Sequence, residues 1–151
     1  MSSAPSPEAS TISELGRGLF WQDMPVGASF RSRPEPSPRA MSWGFMTFTG
    51  MVDGAFLDAT ALAYALSEGF IIQTLIPGTG IALPSCALEA LESAHVGDAL
   101  HAEAEITGVR PTSEAGRAIV DAAVTVLIQR AEALLTYTSS GMIAGRLTPA
   151  E

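Results

Sequence analysis

The chain has 151 residues, 47% of them hydrophobic, and a formal net charge of −8. This length and composition fit one domain with a core of its own. The acidic balance disfavours nucleic acid as a partner, because a polyanion is repelled and the eight basic residues are scattered arginines. A single cysteine excludes an internal disulfide, and no Cys/His cluster has metal-ligand spacing.

The first residues, Met1–Ser13, are rich in Ser and Pro and lack both the basic residues and the apolar core of a secretory signal. We expect a flexible tail at 1–18, one domain at 19–146 and a C-terminal tail at 147–151. The longest apolar run, Gly69–Pro77, is too short and too interrupted to span a bilayer. A soluble, cytoplasmic protein is therefore expected.

The first half of the chain carries helical patterns. A short strand is predicted at Ala28–Arg33, since two prolines follow it closely. Ser37 before Pro38 is typical of a helix start, and that helix is expected to run to about Phe48. A second helix is predicted at Ala59–Thr74. Its sequence is apolar nearly all round, which is typical of a buried helix.

The second half alternates between apolar and polar residues, as strands with one buried face do. The pattern predicts four strands, at Gly80–Glu92, Leu100–Thr107, Val120–Ile128 and Leu134–Ala144. An antiparallel sheet wrapped round one long apolar helix is the hot-dog arrangement. The predicted fold class is therefore α+β, with a single hot-dog domain.

The segment Thr49–Asp58 (TGMVDGAFLD) resembles the active-site loop of MaoC-like hydratases. That family carries an Asp directly after the Ser/Thr-Gly pair and a His two residues before a second Asp. Met51 and Phe56 hold those two places here. A thioether and a phenyl ring have no protons to exchange near neutral pH, so ordinary hydration of an enoyl thioester is not expected.

The resemblance covers about Phe20–Arg146 and is also marked at Trp21–Phe30 and Val96–Arg117. It implies a hot-dog fold, an acyl-thioester substrate carried by coenzyme A or a carrier protein, and at least a homodimer or heterodimer. Family members usually have a Gly-rich turn before the central helix, whose backbone N–H groups polarise the thioester carbonyl. Here the chain passes from Asp58 to that helix almost directly.

Several loop residues are candidates for a substrate pocket. Met51 and Phe56 are interpreted as pocket-wall residues, because Met and Phe commonly fill apolar space. Asp58 is expected to cap the central helix beside that pocket, where a carboxylate meets free N–H groups. Asp53 precedes Gly54 and is either a turn residue or a proton-transfer group.

The second helix supplies two more catalytic candidates. Glu68 is either a proton-transfer group or a structural carboxylate, since a buried carboxylate needs a partner. Tyr64, one turn earlier, lies on the same helix face and is expected to donate a hydrogen bond to it. Cys86 is predicted to be a buried, inert thiol. His95 and His101 are predicted to be solvated.

Arg110 and Arg117 flank a predicted turn and are candidates for binding the phosphates of coenzyme A or of a carrier-protein arm. No cofactor and no metal are expected. Three functions remain open. The first is a diverged lyase, isomerase or cyclase acting on an acyl thioester or other apolar biosynthetic intermediate in a hydrophobic pocket. The second is a catalytically silent subunit or ligand-binding module, and the third is a thioesterase that uses Glu68.

Overall fold

The computed structural model describes residues 17–36, 46–50, 60–92, 95, 97–114 and 116–146. None of the helices in these ranges is long and apolar enough to cross a membrane. Residues 46–49 are helical, in agreement with the end of the first predicted helix, whose start lies outside the described residues. The other elements are a 3₁₀ turn at Trp21–Asp23, β1 Ser29–Arg31, β2 Glu35–Pro36, α1 Thr60–Thr74, β3 Gly80–Ala90, β4 Ala99–Pro111, β5 Arg117–Ile128 and β6 Ala133–Ala144.

The strands form one antiparallel sheet in the order β1-β4-β5-β6-β3, with β2 also paired to β4. The last three strands in sequence are joined as two consecutive hairpins. The strand that follows the helix, β3, then pairs with β6 and becomes the edge of the sheet. The α+β hot-dog order of elements predicted from the sequence is confirmed.

Alternation along the strands decides which face of the sheet meets the helix. Leu100, Ala102, Ala104 and Ile106 of β4 are all buried. The residues between them point to the other face, because successive side chains of a strand alternate. The core that results joins the inner residues of β4, β5 and β6 to Ala63 of α1.

Less of the surface of α1 is buried than its apolar sequence alone predicts. Leu62, Ala63 and Ser67 are buried, whereas Ala61 and Ile72 are exposed. One side of the helix therefore packs on the sheet, and apolar surface remains on another side of the single chain.

The edge strand β3 is exposed along its whole length. Pro84 interrupts it, and its pairing with β6 shifts register between Ala82 and Ser85. Proline lacks a backbone N–H and is tolerated mainly at edge strands and bulges, so this sequence suits the edge position. From Ser85 to Ala90 the pairing with β6 is regular. This regular stretch leaves the other edge of β3 unpaired among the described residues.

Two glycine substitutions are expected to change stability in opposite directions. A Cβ at Gly145 would overlap the Trp21 ring at Nε1, so we expect Gly145→Ala to lower the free energy of unfolding by about 1–3 kcal/mol. Gly69 lies inside α1 with no atom within 4 Å of an added Cβ. Gly69→Ala is expected to raise the same quantity by about 0.5–1 kcal/mol, since alanine favours the helix. Urea unfolding of both variants measures this, and equal effects would contradict the packing at Trp21.

Candidate functional site

A cavity of about 290 Å³ lies between the C-terminal half of α1 and the inner face of the sheet. Its helix side is lined by Glu68, Ile71 and Ile72 of α1 and by Leu75, which directly follows the helix. These positions follow the spacing of one helix face, so about two turns form one wall. The cavity opens where Ile72 and the neighbouring residue Ile81 of β3 are both exposed and lining.

Small side chains on the sheet create the space. Ala122 of β5 is paired with Ser139 of β6, and Val120 with Gly141. Protein interiors normally leave few voids larger than a water molecule, so a space of this size is the leading candidate for a ligand site. The sheet residues that line it are Ala104, Ile106, Val120, Ala122, Val124, Ser139, Gly141 and Ile143.

The lining is apolar with one ionisable exception. Among the described residues that line the cavity, Glu68 alone carries an ionisable side chain. It is half-buried, so it does not lie at an exposed helix end. Among the described residues, the cavity therefore has an apolar lining with a single carboxylate.

A cluster of polar and aromatic side chains lies beside that carboxylate. Glu68 lies near Tyr64 and Tyr137, since its charge adds to the effect of burial on the pKa of both hydroxyls. The Ser67 Oγ is fully buried and lies 3.3 Å from the Tyr137 hydroxyl and 2.8 Å from the carbonyl oxygen of Tyr64. The rings of Tyr64 and Tyr137 meet edge to face, with centroids 5.1 Å apart. Two aromatic rings and a serine thus pack together next to Glu68.

Burial raises the pKa of both tyrosines above the ordinary value of 10.0. For Tyr137, the hydrogen bond from Ser67 opposes this rise of the pKa, while the charge of Glu68 adds to it. For Tyr64, the neighbouring Cys86 thiol and the charge of Glu68 raise the pKa further. Both hydroxyls therefore keep their protons at neutral pH and act as hydrogen-bond donors.

This pKa shift predicts an unusual tyrosine titration. The chain has two tyrosines, Tyr64 and Tyr137, so ultraviolet absorbance reports on this cluster alone. We expect little tyrosinate in the folded protein at a pH near 10, where an exposed tyrosine is about half ionised. The stability that the two hydroxyls contribute is fully present below that pH and declines as the pH rises towards their folded pKa. Half ionisation of the folded protein near pH 10 would contradict their burial.

The two catalytic candidates of α1, Glu68 and Tyr64, differ in their position relative to the cavity. Glu68 lines the cavity, as its proposed role requires. Tyr64 does not line it; its ring packs edge to face on Tyr137, the second tyrosine whose pKa the charge of Glu68 raises. The sequence analysis missed Tyr137 and Ser67. A tyrosine at an inward position of β6 was the available signal, since a buried tyrosine hydroxyl usually finds a partner.

Two predictions about single residues were wrong. Cys86 is exposed, because its strand lies at the edge of the sheet and not inside it. The side chain of His101 is only 15% exposed, and its Nδ1 is buried without a hydrogen-bond partner. The alternating pattern of β4 does not reveal that neighbouring side chains cover the outer face at this point. The other histidine, His95, has a side chain that is 82% exposed, as predicted.

The two candidate phosphate-binding arginines are exposed and carry ion pairs. Arg110 lies 3.1 Å from Asp121, and Arg117 lies 2.7 Å from Glu114. A phosphate would have to compete with these carboxylates. Their role in binding coenzyme A or a carrier-protein arm stays a prediction.

The loop that carries the family resemblance lies largely outside the described residues. This applies to the pocket residues Met51, Phe56 and Asp58 and to the catalytic candidate Asp53. Their predicted roles remain open to the experiments below.

No family model and no curated protein matches this sequence. Solved structures do match it. A MaoC-like dehydratase from Rhodospirillum rubrum is 23% identical with a TM-score of 0.69, covering 87% of this chain and 100% of that one. The (R)-hydratase PhaJ1 from Pseudomonas aeruginosa is 19% identical with a TM-score of 0.71, covering 89% and 93%.

A third similar structure contains the fold twice. The protein Rv0216 from Mycobacterium tuberculosis, described as a double hot-dog fold, is 17% identical with a TM-score of 0.74, and the match covers 91% of this chain and 48% of that one. At these identities the likeness establishes the fold. The prediction of a hot-dog domain similar in structure to MaoC-like dehydratases and (R)-hydratases is confirmed.

Proposed function

We propose that this protein is a hot-dog enzyme of the isomerase or lyase type that binds an apolar intermediate in the cavity and moves a proton with Glu68. The observation that carries the proposal is the isolation of one carboxylate in an apolar lining, among the residues that the structure describes. A single positioned acid/base group typically accelerates proton transfer by about 10²–10⁴-fold.

The simplest reaction that fits one carboxylate is movement of a double bond. Glu68 removes a proton from the α carbon of a β,γ-unsaturated thioester, and the electron pair of that bond becomes a dienolate. The protonated carboxyl then returns a proton to the γ carbon, and the double bond becomes conjugated. Atoms and charge balance without a second acid/base group. The Tyr137 hydroxyl positions the carboxylate throughout.

The thioester class rests on the resemblance of the Thr49–Asp58 segment to the MaoC-like loop. The printed descriptions of two structural neighbours, a dehydratase and an (R)-hydratase, support it. Those enzymes are named for adding or removing water, and this sequence has Met51 and Phe56 where the family carries its acid/base pair. Proton transfer within the acyl group is therefore proposed in place of hydration.

We also propose that two hot-dog units pair through β3. The strand is exposed throughout and includes the exposed apolar residues Ile81, Leu83 and Leu88. An unpaired, apolar strand edge is a ready template for another strand. The double hot-dog neighbour, about half of which this chain matches, supports pairing of two such units. A second copy at β3 would lie beside the mouth of the cavity.

Proton exchange into the substrate tests the proposed reaction. The protein is incubated in D₂O with saturated and β,γ-unsaturated N-acetylcysteamine thioesters, and deuterium at the α and γ carbons is followed by NMR. We expect enzyme-dependent exchange and conjugation of the double bond. No exchange with thioesters of any chain length would overturn the proposal.

The same incubations separate the two alternative functions. Release of free thiol that Glu68→Gln abolishes would identify a thioesterase. Binding without exchange or thiol release would identify a silent, ligand-binding subunit. Measurable hydration of crotonyl-type thioesters at a rate unaffected by Met51→Ala and Phe56→Ala would contradict the interpretation of the loop.

A further inference from the structure

The volume and lining of the cavity restrict what it can hold. A cavity of about 150 Å³ lined by Leu, Ile and Phe is large enough to bind benzene, so 290 Å³ has room for an apolar group of roughly ten to twelve non-hydrogen atoms. The formal charge of the lining is negative, because Glu68 is its one ionisable side chain among the described residues. An anionic group inside the cavity would meet a like charge without a cation to offset it.

We propose that the cavity selects an uncharged, medium-chain or similarly sized apolar acyl group, and that Ala122 and Gly141 set the size limit. This proposal rests on the proposed function for the thioester to which the group is attached. The volume and lining of the cavity do not depend on that proposed function. The additional carbons of longer groups would extend through the open mouth without further burial, and shorter groups leave apolar surface unfilled.

The residues that set the limit lie on adjacent strands. Ala122 is paired with Ile106 on one side and with Ser139 on the other, so its methyl group lies in the middle of the cavity floor. An added Cβ at Gly141 would make ordinary contacts, at 3.5 Å from the Ile143 Cδ1 and 3.9 Å from the Val120 carbonyl oxygen. An alanine at Gly141 therefore occupies ligand space without forcing the backbone apart.

Binding of a graded ligand series tests the proposal independently of catalysis. The probes are amide analogues of butanoyl, octanoyl and hexadecanoyl N-acetylcysteamine thioesters, which cannot lose a thiol, and calorimetry measures their dissociation constants. Affinity is expected to rise about three- to four-fold per methylene up to about ten carbons and then to level off or fall. An octanoyl analogue with a terminal carboxylate is expected to bind at least about 100-fold more weakly than octanoyl.

A matched pair of substitutions on β5 locates the binding site. Ala122→Leu is expected to weaken octanoyl binding at least about tenfold and butanoyl binding much less, since it fills part of the cavity. Ala123→Leu makes the same change on the opposite face of the same strand and is expected to leave both constants unchanged. Gly141→Ala adds a smaller group and is expected to weaken octanoyl binding about two- to five-fold, which keeps the test valid if Ala122→Leu does not fold.

The outcomes separate this inference from the proposed function. Affinity that is independent of chain length, or that responds equally to Ala122→Leu and Ala123→Leu, would overturn the cavity proposal. Chain-length selection without any proton exchange would support the cavity and overturn the proposed reaction. Proton exchange without chain-length selection would support the proposed reaction and overturn the cavity proposal.

Discussion

Glu68→Gln is expected to lower the rate of proton exchange into the substrate by about 10²–10⁴-fold. Glutamine keeps the shape and polarity of the side chain, but its amide cannot take up the substrate proton. Binding of the octanoyl amide analogue is expected to change little. The measurement is exchange rate and dissociation constant on the same preparation, so that lost chemistry is distinguished from lost binding.

Glu105→Gln is the control for Glu68→Gln. Glu105 lies on the exposed face of β4, away from the cavity lining, and its loss removes one negative charge without touching the cluster. Its exchange rate should equal that of the wild type. Exchange that survives Glu68→Gln at the full rate would show that another group moves the proton, and Asp53 of the Thr49–Asp58 segment would be the next candidate to be changed.

Tyr137→Phe tests the positioning role inside the same cluster. It removes the hydroxyl that lies near Glu68 and 3.3 Å from the Ser67 Oγ but keeps the ring that packs on Tyr64. If this hydroxyl positions the carboxylate, the exchange rate is expected to fall while binding of the octanoyl amide analogue changes little. A variant that lowers stability while the exchange rate of the folded protein stays unchanged would assign Tyr137 a structural role alone.

Leu88→Lys is expected to convert a dimer into a monomer. The 15.7 kDa chain should sediment at twice that mass in the wild type if two copies pair through β3. Leu88 lies in the regular part of that strand and is 43% exposed in the single chain. Lysine there places like charges close together in a symmetric pairing and leaves them without partners. We expect the dissociation constant to rise at least about 100-fold, which corresponds to roughly 2.7 kcal/mol.

Thr107→Lys is the matched control for the dimer experiment. Thr107 is exposed on β4, whose two neighbours in the sheet are already present in the same chain. The added charge is the same, but no strand edge is affected. A wild-type protein that sediments as a monomer at micromolar concentration would contradict the pairing, as would equal dissociation in the two variants.

The order of elements followed from local signals in the sequence. Alternation of apolar and polar residues placed the three long strands β4, β5 and β6, because one face of each is buried. The bounds of β6 agree within one residue, whereas β5 begins three residues earlier and β4 ends four residues later than predicted. The apolar run before Gly80 placed α1 in the same way. These features depend on residues close together in the chain, and the sequence contains them in full.

The sequence predicted only some of the residues of the candidate site. Glu68 stood out because a carboxylate is uncommon in an apolar helix. Tyr64 was expected to be its partner, since residues four apart share a helix face. The structure adds Tyr137, which is distant in sequence and lies near Glu68 through the packing of β6 on α1. Contacts between elements far apart in the chain have no periodic signal.

The sequence by itself determined a hot-dog domain with its strands and helix. That Met51 and Phe56 stand where MaoC-like hydratases carry their acid/base residues stays a prediction. The tertiary structure determined where the cavity lies in that domain. The register of β5 and β6 places Ala122 beside Ser139 and Val120 beside Gly141, and the resulting shallow floor leaves a cavity under Glu68. It also decided that β3 forms the edge of the sheet, which leaves Cys86 exposed where a buried thiol was expected. Both outcomes depend on which strands become neighbours, because pairing and not local pattern determines what each side chain faces.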